Sequence, residues 1–225
     1  DTLRLVIFDV DGTLVDSQGD IVSAMVRAFE AVGRAAPDRT TILGIVGLSL
    51  DVAMGRLAPQ AAPADQAIMV QAYKDAYMDM RALAGAAKSS PLYPGARAML
   101  AYLNTLPNVL LGVATGKSKR GLDKLIEAHE LEGLFVTQQV ADFHPSKPHP
   151  SMIAQAMSET GAAPRDTVMI GDTSFDMEMA ASAGVHGLGV SWGYHPIAAL
   201  TAARRILPNF EALPEALNEA WGAHP

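Results

Sequence analysis

The 225-residue sequence predicts an α/β protein: a parallel sheet flanked by helices, interrupted after its first strand by an all-helical insertion. Three observations carry this. Five short apolar runs lack strict polar alternation, which marks strands buried on both faces. The later runs alternate with amphipathic helical patterns, the rhythm of successive βαβ units. Residues 16–91 break that rhythm with Ala-, Met- and charge-rich segments at helical spacing and no convincing strand.

The elements follow in order. The first run, Leu3–Val10, leads into Asp9-Val10-Asp11-Gly12-Thr13-Leu14. In the insertion, Ile21, Met25, Ala28 and Phe29 form one helical stripe, and Ala67, Val70, Tyr73, Lys74 and Tyr77 a second. Met54, Met69, Met78 and Met80 are expected to fill gaps between these helices. The exits from the insertion are read as the Asp16–Gly19 turn and the linker Lys88–Gly95. Further strands are expected at Val109–Thr115, Leu134–Val140, Thr167–Ile170 and Val185–Val190, with helices at Lys119–His129, Pro150–Thr160 and Phe175–Ala183. Residues 1–15 and 92–225 then form the core and residues 16–91 the insertion, with right-handed crossovers placing helices on both faces of the sheet.

Composition narrows the function classes. With no cysteine, a disulfide scaffold and any thiol-based metal or redox site are excluded. A formal net charge of −7 argues against a nucleic-acid partner. No apolar run approaches the roughly 20 residues of a spanning helix, and no basic segment precedes an apolar one as in a signal peptide. The expectation is a cytoplasmic protein without a membrane partner.

In open α/β sheets the site lies at the carboxyl ends of the strands. Those ends carry Asp9 and Asp11, then Thr115-Gly116-Lys117, then Lys147 between prolines, then Gly171-Asp172 followed by Asp176. Asp9 and Asp11, two apart in a strand, are expected to share one face. Like charges that close need a cation between them, and carboxylates are the ligands Mg²⁺ prefers. Asp172 can instead cap the next helix, but Ser174 is placed to do so and leaves Asp172 free for metal. Asp176 can be a plain first-turn acid on that helix. The Thr115 hydroxyl and the N–H groups from Gly116 onward can hold an anion at a helix N-terminus, or Thr115 can be an ordinary cap. Lys147 is either a rigidly held site lysine or a solvated one. Gly112–Ser118 nearly spells a phosphate-binding P-loop ending at Lys117, but the spacing is one residue short and Gly112 sits in a strand. A P-loop nucleotide-binding protein is therefore the competing class.

Together, Asp9-Val10-Asp11-Gly12-Thr13-Leu14, Thr115, Lys147 and Gly171-Asp172 with Asp176 resemble the four motifs of the haloacid dehalogenase-like superfamily. The resemblance spans nearly the whole chain. It implies a Rossmann-like parallel core, with the insertion resembling the small cap of the phosphoglycolate phosphatase-like branch. It implies that Asp9 is a nucleophile forming an aspartyl-phosphate and that Asp11 is the general acid, then the base. Thr115, Gly116 and Lys147 would hold phosphoryl oxygens. Asp9, the Asp11 backbone carbonyl and Asp172 would bind Mg²⁺, with Asp176 orienting metal waters.

The resemblance also separates activities. Dehalogenases and phosphonatases lack the second acid, Asp11. Mutases keep both acids but usually depart from Gly12-Thr13-Leu14. A Mg²⁺-dependent phosphomonoester hydrolase acting on a small phosphorylated metabolite is favoured, phosphoglycolate first. A β-phosphoglucomutase-like phosphotransferase or a pyrophosphatase stays open. The loop Gly44–Ser49 resembles the branch's specificity loop, so Gly47 and Ser49 are candidate substrate contacts. Arg56 can pair a substrate carboxylate or lie exposed on the outer surface.

Overall fold

In the computed structural model, which describes residues 2–222, the first apolar run forms β1 over Arg4–Phe8. Leu5, Val6, Ile7 and Phe8 are all fully buried, so this strand is covered on both faces. Val6 and Phe8 enter one apolar cluster with Leu100, Leu122 and Leu217, whereas Leu5 and Ile7 enter another with Ile153 and Met179.

Five helices follow: α1 (Gln18–Glu30), α2 (Arg39–Leu43), α3 (Leu50–Leu57), α4 (Pro63–Ala84) and α5 (Ala86–Ser89). The chain then runs through α6 (Ala96–Thr105), β2 (Val109–Ala114), α7 (Lys119–Ala128), β3 (Thr137–Gln139) and α8 (Ser151–Thr160). It continues with β4 (Thr167–Gly171), α9 (Ser174–Ala183), β5 (His186–Val190), β6 (Arg205–Leu207) and α10 (Leu213–Ala220). The strands form one six-stranded sheet in the order β3-β2-β1-β4-β5-β6, every pair parallel. Phe8 sits opposite Val113 on one side and Ile170 on the other. The chain therefore steps outward from β1 to β3, then returns to lay β4 beside β1. The order reverses between β1 and β4, and that reversal opens a crevice at their carboxyl ends. Helices α6, α7 and α10 cover one face, and α8 and α9 the other.

The α/β class and the helical insertion agree with the sequence expectation. Several details do not. The run Leu134–Val140 yields only the three-residue β3, because Leu131–Leu134 closes a turn around Gly133 at φ +77°. A sixth strand, β6, was not expected; it is three residues long at the sheet edge. Helices α6 and α10 were also missed.

Between β1 and α6 the helices bury a separate cluster, with Ile21, Met25, Ala28 and Phe29 of α1 meeting Ile42, Met54 and Met69. The second expected stripe is rotated: Met69 and Ala76 are buried, Tyr73 and Tyr77 partly so, while Ala67 and Lys74 are exposed. Packing against α1 selects the Met69-Tyr73-Ala76 row, and Met78 is left exposed. The expected exits are shorter than read, since Gln18 and Gly19 already belong to α1 and Lys88 and Ser89 to α5. The two crossings lie side by side. Val15 bridges Leu92 in antiparallel fashion, the Asp16 N–H donates to the Pro91 carbonyl at 2.8 Å, and the Tyr93 N–H donates to the Leu14 carbonyl at 2.9 Å. Among the described residues no helix is long and apolar enough to cross a membrane.

Candidate active site

Asp9 is the first residue beyond β1, anchored by its N–H donating to the Ile170 carbonyl at 2.9 Å. Its side chain turns inward, where Lys147 Nζ donates to Oδ1 at 2.9 Å. Asp9 Oδ2 is buried and has no hydrogen-bond partner. Lys147 is only 2% exposed, and its Nζ also donates to Asp176 Oδ1 at 2.7 Å. The solvated alternative for this lysine is therefore removed.

Asp172 follows β4 and is enclosed on all sides. Thr13 Oγ1 donates to its Oδ1 at 3.1 Å and the Tyr194 N–H to its Oδ2 at 2.8 Å. Gly12 makes this fit possible: it holds φ +84°, and a Cβ there would stand 2.2 Å from Asp172 Oδ2. The cap of α9 is Thr173, not Ser174 as the sequence reading had it. Thr173 and Asp176 form a reciprocal capping box, with Asp176 Oδ2 accepting from the Thr173 N–H and hydroxyl. Asp176 is thus both a first-turn acid and a partner of Lys147. The signal was present as Thr-x-x-Asp at positions 173–176.

Asp9, Asp172 and Asp176 each offer an oxygen within 4.8 Å of the others. Burial raises Asp9 well above the usual carboxylate range, Asp176 adds to the rise, and Lys147 partly offsets it. Burial, then Asp176, pushes Asp172 up to about 6. Burial alone would lower Lys147, but Asp176 and Asp9 outweigh it and hold the ammonium above its ordinary value. Three buried acids against one ammonium, with one acid oxygen unpartnered, is an environment short of positive charge. Hard oxygen donors in that number fit a divalent cation such as Mg²⁺.

Asp11 is not part of this cluster. β1 ends at Phe8, so strand alternation does not set Asp9 and Asp11 on one face as expected. The Asp11 carboxylate accepts from Ser17 Oγ at 2.5 Å and from Lys117 Nζ at 3.2 and 3.3 Å. Lys117 is the contact of Asp11 that sequence reasoning passed over, set aside with the P-loop near-match. Gly112 of that near-match lies inside β2. Burial alone would lower Lys117, but the Asp11 charge, Tyr77 and the hydrogen bond to Asp11 together outweigh it and hold the ammonium above the ordinary lysine range.

Thr115 is buried, and its hydroxyl accepts from the Lys117 N–H at 3.0 Å. It is not the cap of α7; Ser118 is, accepting from the Gly121 N–H at 3.1 Å. The Lys119 N–H is taken by Asp142 at 2.9 Å. The first-turn N–H groups of Lys119 and Gly121 are thus already satisfied within the protein.

The insertion touches this floor directly. A Cβ on Gly116 would lie 2.6 Å from the Gly47 carbonyl oxygen, so only glycine lets the two loops approach this closely. The Ser49 N–H donates to Ser146 Oγ at 3.0 Å, one residue from Lys147. His195 bridges the two parts, its Nδ1 accepting from the Ser174 N–H at 3.1 Å and its Nε2 donating to the Gly44 carbonyl at 2.8 Å. Gly47 and Ser49 therefore face the core loops. Arg56 does not join them: it is exposed, with its guanidinium 5.4 Å over the Phe175 ring.

An open parallel sheet with buried acids and a lysine gathered at its switch point, roofed by an inserted helical unit, belongs to the α/β enzymes that work at strand ends. Residues 6–190 match the family model of the haloacid dehalogenase-like hydrolases, and the chain belongs to that family. It is 37% identical over 201 residues to the "Probable phosphatase IndB" of Dickeya dadantii, covering 88% of this chain and 86% of that one. It is 30% identical over 199 residues to a phosphoglycolate phosphatase of Photobacterium profundum, covering 86% and 85%. A haloacid dehalogenase-like family hydrolase of Streptococcus pneumoniae superposes with a TM-score of 0.81 at 26% identity, over 95% of this chain and 98% of that one.

Proposed function

We propose that this hydrolase is a Mg²⁺-dependent phosphomonoesterase that works through an aspartyl-phosphate on Asp9. The observation that supports it most directly is Asp9 itself: one oxygen held by Lys147, the other buried and unpartnered beside Asp172 and Asp176. Asp9, the Asp11 backbone carbonyl and Asp172 would hold Mg²⁺, with Asp176 orienting its waters. Bound there, the ion would neutralise charge on the transferring phosphoryl group.

The side chains then divide the work. Asp9 attacks phosphorus, forming a P–O bond while the ester P–O bond breaks. Asp11 gives its proton to the departing alcohol oxygen. Lys147, Thr115 and Gly116 hold the phosphoryl oxygens as charge develops. Water then loses a proton to Asp11 and attacks phosphorus, releasing phosphate and the free Asp9 carboxylate. The helical unit acts as a cap, its Gly47–Ser49 loop closing on the floor and excluding bulk water. The substrate is a small phosphorylated metabolite, phosphoglycolate ranked first, in keeping with the names of relatives.

The test is Asp9→Asn with p-nitrophenyl phosphate, with and without Mg²⁺. The expected result is loss of turnover in the variant with an unchanged circular dichroism spectrum, and Mg²⁺ dependence in the wild type. Near-wild-type turnover by Asp9→Asn would overturn the assignment.

A further inference from the structure

The loop that carries Lys147 also holds a hydroxyl paired with an imidazole. Lys147 is buried against Asp9 and Asp176, whereas His144 before it and Ser151 after it are half-buried. Ser151 Oγ lies 2.7 Å from His144 Nδ1, and Nε2 of the same ring lies 2.7 Å from Gln139 Oε1. The far end of this chain of groups places its protons. Glu159, held below its ordinary value chiefly by the Thr137 hydroxyl, is a carboxylate and only accepts. It takes the Thr137 hydroxyl at 2.6 Å and Gln139 Nε2 at 2.9 Å. The other N–H of that amide goes to Thr137 Oγ1 at 2.8 Å. Gln139 is buried, and these bonds turn its carbonyl oxygen to His144. A carbonyl cannot donate, so His144 carries its proton on Nε2 and leaves Nδ1 bare. The Ser151 hydroxyl therefore donates to Nδ1. Burial holds His144 below its ordinary value against the opposing pull of Glu159, which keeps the ring in its basic form. Ser151 does not cap α8: Pro150 holds that position, and among the described residues the hydroxyl is bonded to His144 alone.

We infer that Ser151, with His144 as its base, is a second nucleophile that accepts an acyl group from activated carboxylic esters. It stands apart from the phosphatase reading, because its groups are bonded to β3 and α8 and not to Asp9 or Asp11. Ser151 Oγ bonds to the ester carbonyl carbon while its proton passes to His144 Nδ1, and the bond to the leaving phenolate breaks. Water then attacks the acyl carbon and gives a proton to His144. The bond to Oγ breaks, the acid departs, and His144 returns a proton to the serine. Gln139 and Glu159 are positioning residues that hold the ring in the useful tautomer. A nucleophile and a base suit esters whose leaving group needs no acid, such as aryl acetates. Phe143, the residue before His144, is 74% exposed and offers apolar surface to the aryl part.

The test is p-nitrophenyl acetate in EDTA at neutral pH. Release of p-nitrophenolate is followed, and acetyl groups are located by peptide mass spectrometry after an acid quench. The wild type and Asp9→Asn are expected to react alike and to carry the acetyl group on Ser151. Ser151→Ala and His144→Ala should each slow the release by at least about tenfold. Ser151→Ala should keep wild-type turnover of p-nitrophenyl phosphate with Mg²⁺, which shows that the loop around Lys147 is intact. Acetyl groups on lysines alone, or an undiminished rate in Ser151→Ala, overturn the inference. A rate that falls in Asp9→Asn assigns the acyl transfer to the first site and overturns it as well. If Ser151→Ala loses the phosphatase turnover too, Ser151→Cys decides: an acetyl group at position 151 supports the inference and its absence overturns it. Failure of the wild type on p-nitrophenyl phosphate would strike the phosphatase reading and leave this inference standing.

Discussion

Lys147 and Asp176 meet in an ion pair with no solvent-exposed side-chain surface, Nζ to Oδ1 at 2.7 Å. The same ammonium holds Asp9, so one cation joins the acid that directly follows β1 to the acid in the first turn of α9. Lys147→Met leaves both carboxylates buried beside each other without that cation. Breaking such a pair from one side costs about 3–5 kcal/mol. Urea unfolding without divalent cation should show a loss of that size. A variant as stable as the wild type would mean that water reaches the acids freely.

The buried acids also make stability depend on pH in a defined direction. Asp172, raised to about 6 in the folded protein, has an ordinary value of 3.8 when unfolded. Its contribution is fully present below the unfolded value, where it is protonated in both states, and is lost as pH rises through the folded value. Compared with Asp172→Asn, the metal-free wild type should lose stability from about pH 4 to about pH 7. Added Mg²⁺ should stabilise the wild type most at the upper end of that range. Thermal melts of both proteins across pH, in EDTA and in Mg²⁺, read this. Parallel pH curves for the two proteins would contradict it.

Gly116→Ala drives a methyl group into the Gly47 and Leu48 carbonyls, 2.6 and 2.7 Å from the new Cβ. Backbone must move, at a cost of about 1–3 kcal/mol. The displaced surface is the contact between cap loop and floor, so KM for phosphoglycolate should rise while the melting temperature falls. An unchanged KM would show that the loops part before substrate enters.

Tyr194→Phe removes the acceptor of the buried Ser17 N–H, which donates to the Tyr194 hydroxyl at 2.9 Å. An orphaned N–H there costs about 1–3 kcal/mol. The expected result is a loss of that size in denaturant unfolding with the far-UV spectrum unchanged, and a loss below the error of the measurement would show that water replaces the hydroxyl.

Much of this arrangement was legible in the chain because apolar strands end abruptly in polar or ionisable residues. Asp9, Thr115 and Asp172 each follow such a run, and the sheet brings those ends together whatever the local detail. Lys147 follows no strand of comparable strength, yet its flanking prolines singled it out. What escaped was set by contacts distant in sequence. Lys117 acquires its meaning from Asp11, 106 residues away, and Tyr194 from Ser17, 177 residues away. No local pattern encodes either pair. The divergence of Asp9 from Asp11 depended on where β1 stops, and strand ends are poorly marked by periodicity. β6 is too short for any pattern to rise above its neighbours.

The paired crossings at Leu14–Asp16 and Pro91–Tyr93 carry a consequence for how substrate range can change. Because departure and return are hydrogen-bonded to each other, the polypeptide between them is a closed excursion whose ends already touch. Its removal would leave a gap that a short turn can span, and its replacement by another excursion would not stretch the sheet. Asp9, Asp11, Thr115, Lys147 and Asp172 all lie on the other side of that junction. On the proposed reading, selectivity and chemistry then sit on separate stretches of one chain, so that exchanging the first would keep the second.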